Sequence, residues 1–307
     1  MRPLRGISYK LASVLVFIVM SAMIKATADH VPSGQTVFFR SFFAIPVIVV
    51  WLAMRRELAG GLRTKNPFGH FWRGLMGTCA MGLGFAGLAY LPLPEVTAIG
   101  YASPILTVIF AAMFLGEEVR LFRMACVALG LCGVLVVVYP RLTVLDPGQA
   151  GYAQAFGAMV VLGGALFSAL AQVFVRKLVL AEKTATIVFW FSVTASVLSL
   201  ATLPFGWVWP TPGEAALLVG AGLLGGVGQI LLTSSYREAD ASLVAPFDYA
   251  SMIFALAIGW FVFAEAPSWT MLLGAVLVVT AGILIIWRER QLGLERARQR
   301  EAMTPQG

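Results

Sequence analysis

Charge is what this sequence has least of. Only 12% of its 307 residues are Asp, Glu, Lys or Arg, about half the share found in an ordinary soluble domain. So few charges cannot coat a soluble globule of this length. Disorder is excluded as well, because 59% of the residues are hydrophobic and such a chain does not stay solvated. Histidine and cysteine are also scarce. His30 and His70 fall in loops on opposite sides, and Cys79, Cys126 and Cys132 lie in apolar stretches without ligand spacing. A metal site or a disulfide framework therefore lacks its parts. There is no G-x-x-x-x-G-K-[ST] loop for ATP. No cofactor, no metal and no enzymatic activity are expected. The net charge of +7 is spread between apolar blocks rather than gathered on one face, so no nucleic-acid partner is expected either.

What the sequence has instead is long apolar runs. About 20 apolar residues cross the hydrocarbon core as a helix. Ten such blocks are present, at 8–27, 35–54, 71–90, 95–115, 121–139, 155–175, 185–204, 214–234, 242–263 and 269–287. None alternates with period two, which excludes a membrane barrel. Lipid offers the backbone no partner, so the blocks must be helices. The fold class is an all-α membrane protein. Ala26-Thr27-Ala28 resembles a cleavage site, but Lys25 precedes it and the block is long enough to span, so the first helix is expected to remain.

Basic residues set the orientation. All Lys and Arg except Arg141, Lys25 and Arg40 fall on the side of the N-terminus when ten spans are threaded. Both termini are thus expected in the cytoplasm, with the protein in the inner membrane. The Arg-rich segment 291–307 reads as a cytoplasmic tail, either lying on anionic lipid or solvated.

The halves echo each other. Tyr101-Ala102-Ser103-Pro104-Ile105 matches Tyr249-Ala250-Ser251-Met252-Ile253 at an offset of 148, and the same offset pairs Glu117 with Glu265. Each half, 1–145 and 146–290, holds five spans. An odd number inverts the second half relative to the first, giving two inverted five-helix repeats. That geometry belongs to secondary transporters.

With ten spans as five plus five, Val37-Phe38-Phe39-Arg40-Ser41-Phe42-Phe43, the run ending Phe114-Leu115-Gly116-Glu117-Glu118 and its echo ending Phe263-Ala264-Glu265, the chain resembles EamA-type transporters of the drug/metabolite transporter superfamily. The resemblance covers about residues 8 to 287. It implies a central substrate cavity and alternating access by rocking helices. One departure is that the segment matching Arg40 in the second half is aromatic, Phe189-Trp190-Phe191. Gly6-Ile7-Ser8-Tyr9-Lys10 and the Phe-Phe-Arg-Ser-Phe-Phe run also resemble bacterial riboflavin importers. Riboflavin uptake is one expectation for function, and export of amino acids or other metabolites is the alternative.

Ionisable groups inside spans cost at least about 2.5 kcal/mol each at the centre, so each is a candidate for substrate contact. Arg40 reads as an anion or ring-carbonyl contact, or as a helix-end arginine paired with Glu95 or Asp29. Asp248 reads as a proton carrier or substrate contact, or as an interfacial acid bonded to Gln229 or Arg237. Lys25 either reaches the cavity or snorkels outward. Gln172 and Gln229 are expected to bond between helices or to recognise cargo. Tyr101, Trp190 and Tyr249 offer stacking faces for a planar ligand. Gly82-x-Gly84-x-x-Gly87 and Gly220-x-Gly222-x-x-Gly225 match a dinucleotide fingerprint, yet both lie inside spans, where close helix packing explains them better. The partners expected are a small molecule and the bilayer, with the chain a monomer or homodimer.

Overall fold

The computed structural model describes residues 3–115, 149–239, 244–277 and 279–281, together with short runs of one to three residues between 122 and 136 and between 283 and 291. Glu117 and about half of the expected span 121–139 lie outside these. The described residues contain helices and no strand.

In chain order the elements are α1 (Pro3–Lys25), α2 (Ser33–Phe42), α3 (Ala44–Met54), α4 (Leu58–Gly61), α5 (Pro67–Tyr90), α6 (Leu93–Gly100) and α7 (Ala102–Leu115). The second half contributes α8 (Gln149–Leu178), α9 (Thr184–Leu200), α10 (Pro212–Glu238), a 3-10 turn at Ala245–Ala250, and α11 (Ser251–Phe263). A further apolar helix, α12, runs Trp269–Ala281. By length and hydropathy, Leu4–Lys25, Ser33–Met54, Tyr152–Leu178 and Pro212–Glu238 each suffice to cross a bilayer, and α9, α11 and α12 are shorter apolar helices. Large apolar side chains cover the outside, among them Trp209 at 96% and Trp269 at 86% exposure. In water such a surface would aggregate; in lipid it is solvated.

Proline shapes the spans that border the centre. Pro46 lacks an N–H and crowds the carbonyl four residues back, and the second span breaks at Phe43 into α2 and α3. Pro104 acts alike on Gly100, and the fourth span breaks at Tyr101 into α6 and α7. The ninth span, at the matching position of the repeat, passes from a 3-10 turn into α11 between Ala250 and Ser251. Discontinuous helices at repeat-related positions are the usual frame of a transport site.

The packing carries the repeat too. The most extensive helix pairings are α5 with α8 and α1 with α10. The repeat relates α1 to α8 and α5 to α10, so a two-fold axis turns one pairing into the other. Small residues make the approach close. A Cβ on Gly222 would lie 2.8 Å from the carbonyl oxygen of Phe39, and one on Gly87 would lie 2.2 Å from the Val161 side chain. The fingerprint-like glycines at 87, 222 and 225 therefore sit at helix contacts, whereas Cβ atoms on Gly82 and Gly84 would meet open space. The fold is an all-α membrane protein of two five-helix repeats.

Candidate functional site

A cavity of about 240 Å³ lies at the centre, lined by side chains of α1, α2, α5, α8, α9 and α10, and by Asp248. A second space of about 370 Å³ shares Phe17, Ala80, Met81, Phe85, Ser168, Gln172 and Asp248 with it, and extends toward Tyr101 and Ser251. Together they form one chamber. Both halves contribute walls, and most of the lining is apolar.

The charged groups are few and deeply placed. Arg40 occupies the last turn of α2, where the carbonyls freed by the Phe43 break favour a cation. It is 2% exposed and its guanidinium stands 5.4 Å from the centre of the Phe191 ring. Arg73, on α5, is 5% exposed and packs at 3.9 Å from the same ring. Neither is held by a carboxylate among the described residues, and Nε and Nη1 of both lack hydrogen-bond partners. Lys10 of α1, 1% exposed, forms an ion pair with Asp248 at 2.8 Å and lies over the Tyr236 ring at 5.4 Å.

Gln172 and Gln229 face the chamber with Oε1 unbonded. Tyr101 bonds Ser251 Oγ at 2.8 Å, which joins the two broken helices, and Ser251 in turn donates to the carbonyl of Asp248. Of the residues singled out in the sequence, Arg40, Gln172, Gln229 and Asp248 line the central cavity, and Tyr101 lines its extension. Trp190 turns away and donates Nε1 to the Leu62 carbonyl at 3.0 Å, because one residue is 100° of helix from Phe191. The side chain of Tyr249 lies outside the described residues. Arg40 pairs with neither Glu95 nor Asp29, and Asp248 takes Lys10 rather than Gln229 or Arg237.

Sequence reasoning assigned Lys10 and Arg73 to the cytoplasmic flanks. That is corrected: α1 begins at Pro3 and α5 at Pro67, so both residues stand more than a turn inside their helices and are buried. Phe191 was read only as the aromatic segment opposite Arg40, and here its ring receives both arginines. The available signal was the helix start at Asn66-Pro67, where Asn66 accepts from the Gly69 N–H.

At one end of the bundle Lys25 pairs with Glu265 at 3.0 Å and donates to the carbonyls of Leu88 and Leu91. Glu265 also accepts from the Leu93 N–H at 3.0 Å. Elsewhere Glu182 gathers the Lys65 and Asn66 N–H groups and the Thr64 hydroxyl, while Arg237 donates to Thr184 Oγ1 and the Glu182 carbonyl.

Comparison with known proteins agrees with this architecture. The model of the EamA-like transporter family matches residues 4–139 and 155–287, once in each half. The chain is 31% identical over 281 residues to a pseudopaline exporter, CntI, of Pseudomonas aeruginosa, covering 91% of this chain and 95% of that one. It is 27% identical over 286 residues to an S-adenosylmethionine uptake transporter of Rickettsia bellii, with 93% and 94% covered. A riboflavin transporter of Rhizobium johnstonii is 30% identical over 259 residues, with 84% and 82% covered. A solved crystal structure superposes with a TM-score of 0.69 over 95% of this chain and 99% of its own, at 20% identity, and so shares the fold. Helical architecture, paired repeats and these relatives converge: the chain belongs to the EamA-like transporter family and is a multi-pass membrane transporter.

Proposed function

We propose that the chain is a secondary transporter that moves a small organic metabolite across the inner membrane by alternating access, with both termini cytoplasmic. The observation that carries this is the chamber between the halves. It is mostly apolar, yet holds two buried arginines, a lysine–aspartate pair and two amides, and it is bordered by the broken fourth and ninth spans. Apolar walls with a few converging polar groups suit a small ligand. Inverted halves let one site face either side in turn.

Riboflavin is the first cargo to test, supported by the resemblance of the N-terminal half and by the riboflavin transporter relative. Cells expressing the chain should accumulate labelled riboflavin above a vector control, and Arg40→Ala should reduce it at least tenfold. Uptake at control level removes this cargo. The second reading is export, which the 31% identity to a pseudopaline exporter favours. Export predicts resistance to an added toxic metabolite without uptake. The halves 1–145 and 146–290 act as the two moving bodies in either reading.

A further inference from the structure

We infer that Arg40, Phe191 and Arg73 form an anion subsite and that the cargo is a small organic anion bearing a carboxylate or phosphate. This rests on the transporter reading and narrows its substrate class.

Among the described residues, the central cavity is lined by three cationic side chains, Lys10, Arg40 and Arg73, and one carboxylate, Asp248. Asp248 is already engaged by Lys10 at 2.8 Å. Two positive charges are thus left without a counter-charge inside the bundle, where uncompensated charge is expensive. Stacking on the ring of Phe191, at 5.4 and 3.9 Å, offsets part of that cost. It does nothing for the N–H groups, and Nε and Nη1 of both arginines stay unbonded. A guanidinium edge is a fork whose geometry matches two oxygens of a carboxylate or phosphate. An anion therefore relieves both the charge and the missing bonds.

The surrounding backbone is cut to fit. A Cβ on Gly77 would lie 2.3 Å from Arg73 Nη1 and 2.6 Å from Phe191, and one on Gly225 would lie 3.0 Å from Arg40 Nε. Gly77 and Gly225 are separated by 148 residues, the offset of the repeat. Each half so provides a recess for one arginine, although both arginines come from the first half. A purely structural stack would need only one cation on the ring, since a second adds repulsion.

The test is ligand binding by the purified full chain in lipid nanodiscs, read as a thermal shift. The probes are succinate, its neutral analogue succinamide, inorganic phosphate, and the pair riboflavin and riboflavin 5′-phosphate. Choline, a quaternary ammonium cation without a carboxylate, is the opposite-charge control. Succinate or a phosphate-bearing probe should stabilise the protein in a saturable way, more tightly than its neutral analogue. Arg40→Gln and Arg73→Gln should each weaken that binding tenfold or more. Equal response to succinate and succinamide, or tighter binding of the cation, overturns the assignment.

Should either variant not fold, the wild type still decides. Saturating succinate or phosphate should protect Arg40 and Arg73 from phenylglyoxal, followed by mass spectrometry, and unchanged modification overturns the proposal. Transport is scored separately in proteoliposomes. Anion binding without flux would count against the transporter reading alone, whereas flux of neutral riboflavin without anion binding would count against the subsite alone.

Discussion

Lys10 and Asp248 show at the scale of single residues how the site balances its cost. The ammonium is sealed at 1% exposure, and the carboxylate keeps 30%. Removing one partner of such a pair leaves a buried charge, and the loss is several kcal/mol in a dry site. The partial exposure of Asp248 reduces this to about 2 kcal/mol. Asp248→Asn should therefore lower thermal stability and transport together. Adding Lys10→Met to it should recover most of the stability and none of the transport, because the stranded charge is gone but the polar pair is not restored. A double-mutant cycle of melting measurements checks this, and an Asp248→Asn protein as stable as wild type would count against the pair.

Elements are joined by Glu182, in the turn between α8 and α9. Burial raises its pKa, but the Lys65 N–H, the Thr64 hydroxyl, nearby His70 and the Asn66 N–H together outweigh that and hold it below the ordinary value of 4.5. The folded chain thus binds this proton less readily than the unfolded chain. Its stabilisation is complete above the unfolded value and fades as pH falls through the folded one. Acidification below about pH 4.5 should loosen the tie between the α4–α5 loop and the α8–α9 turn. Melting curves across pH should show a smaller acid-induced loss in Glu182→Gln than in wild type, and parallel profiles would remove Glu182 as the cause.

For the whole molecule, the contact of Lys25 with Glu265 sits where α1 and α11 end. Here the ion pair is reinforced by the carbonyls of Leu88 and Leu91 and by the Leu93 N–H, with Ile24, Leu91 and Leu93 buried around it. In the alternating-access reading proposed above, this tie is the candidate latch at one end of the chamber. Glu265→Gln should shift the population toward opening at that end. A cysteine replacing Leu88, in a chain whose Cys79, Cys126 and Cys132 are changed to serine, should then react severalfold faster with a membrane-impermeant maleimide. No change in rate would mean that the pair is ornamental to gating. The same reagent checks the proposed threading, since cysteines at 117 and 265 should label from opposite faces.

The bilayer explains why so much was legible in the chain before its fold. Lipid forces each apolar run into a helix, so span positions and the echo of Tyr101 in Tyr249 could be read directly, whereas the breaks beside Pro46 and Pro104 emerged only with the structure. The cost of burying charge likewise singled out Arg40 and Asp248. Which groups meet is another matter. A helix start at Pro67 rather than four residues later decides that Arg73 is a wall of the chamber instead of a surface charge. One step of helical rotation sends Trp190 to Leu62 and Phe191 to the arginines. Lys10 finds Asp248 in the opposite half of the sequence. Local patterning fixes what a segment becomes, because solvent acts on each residue separately; partners separated by more than a hundred residues are settled only by how the helices pack.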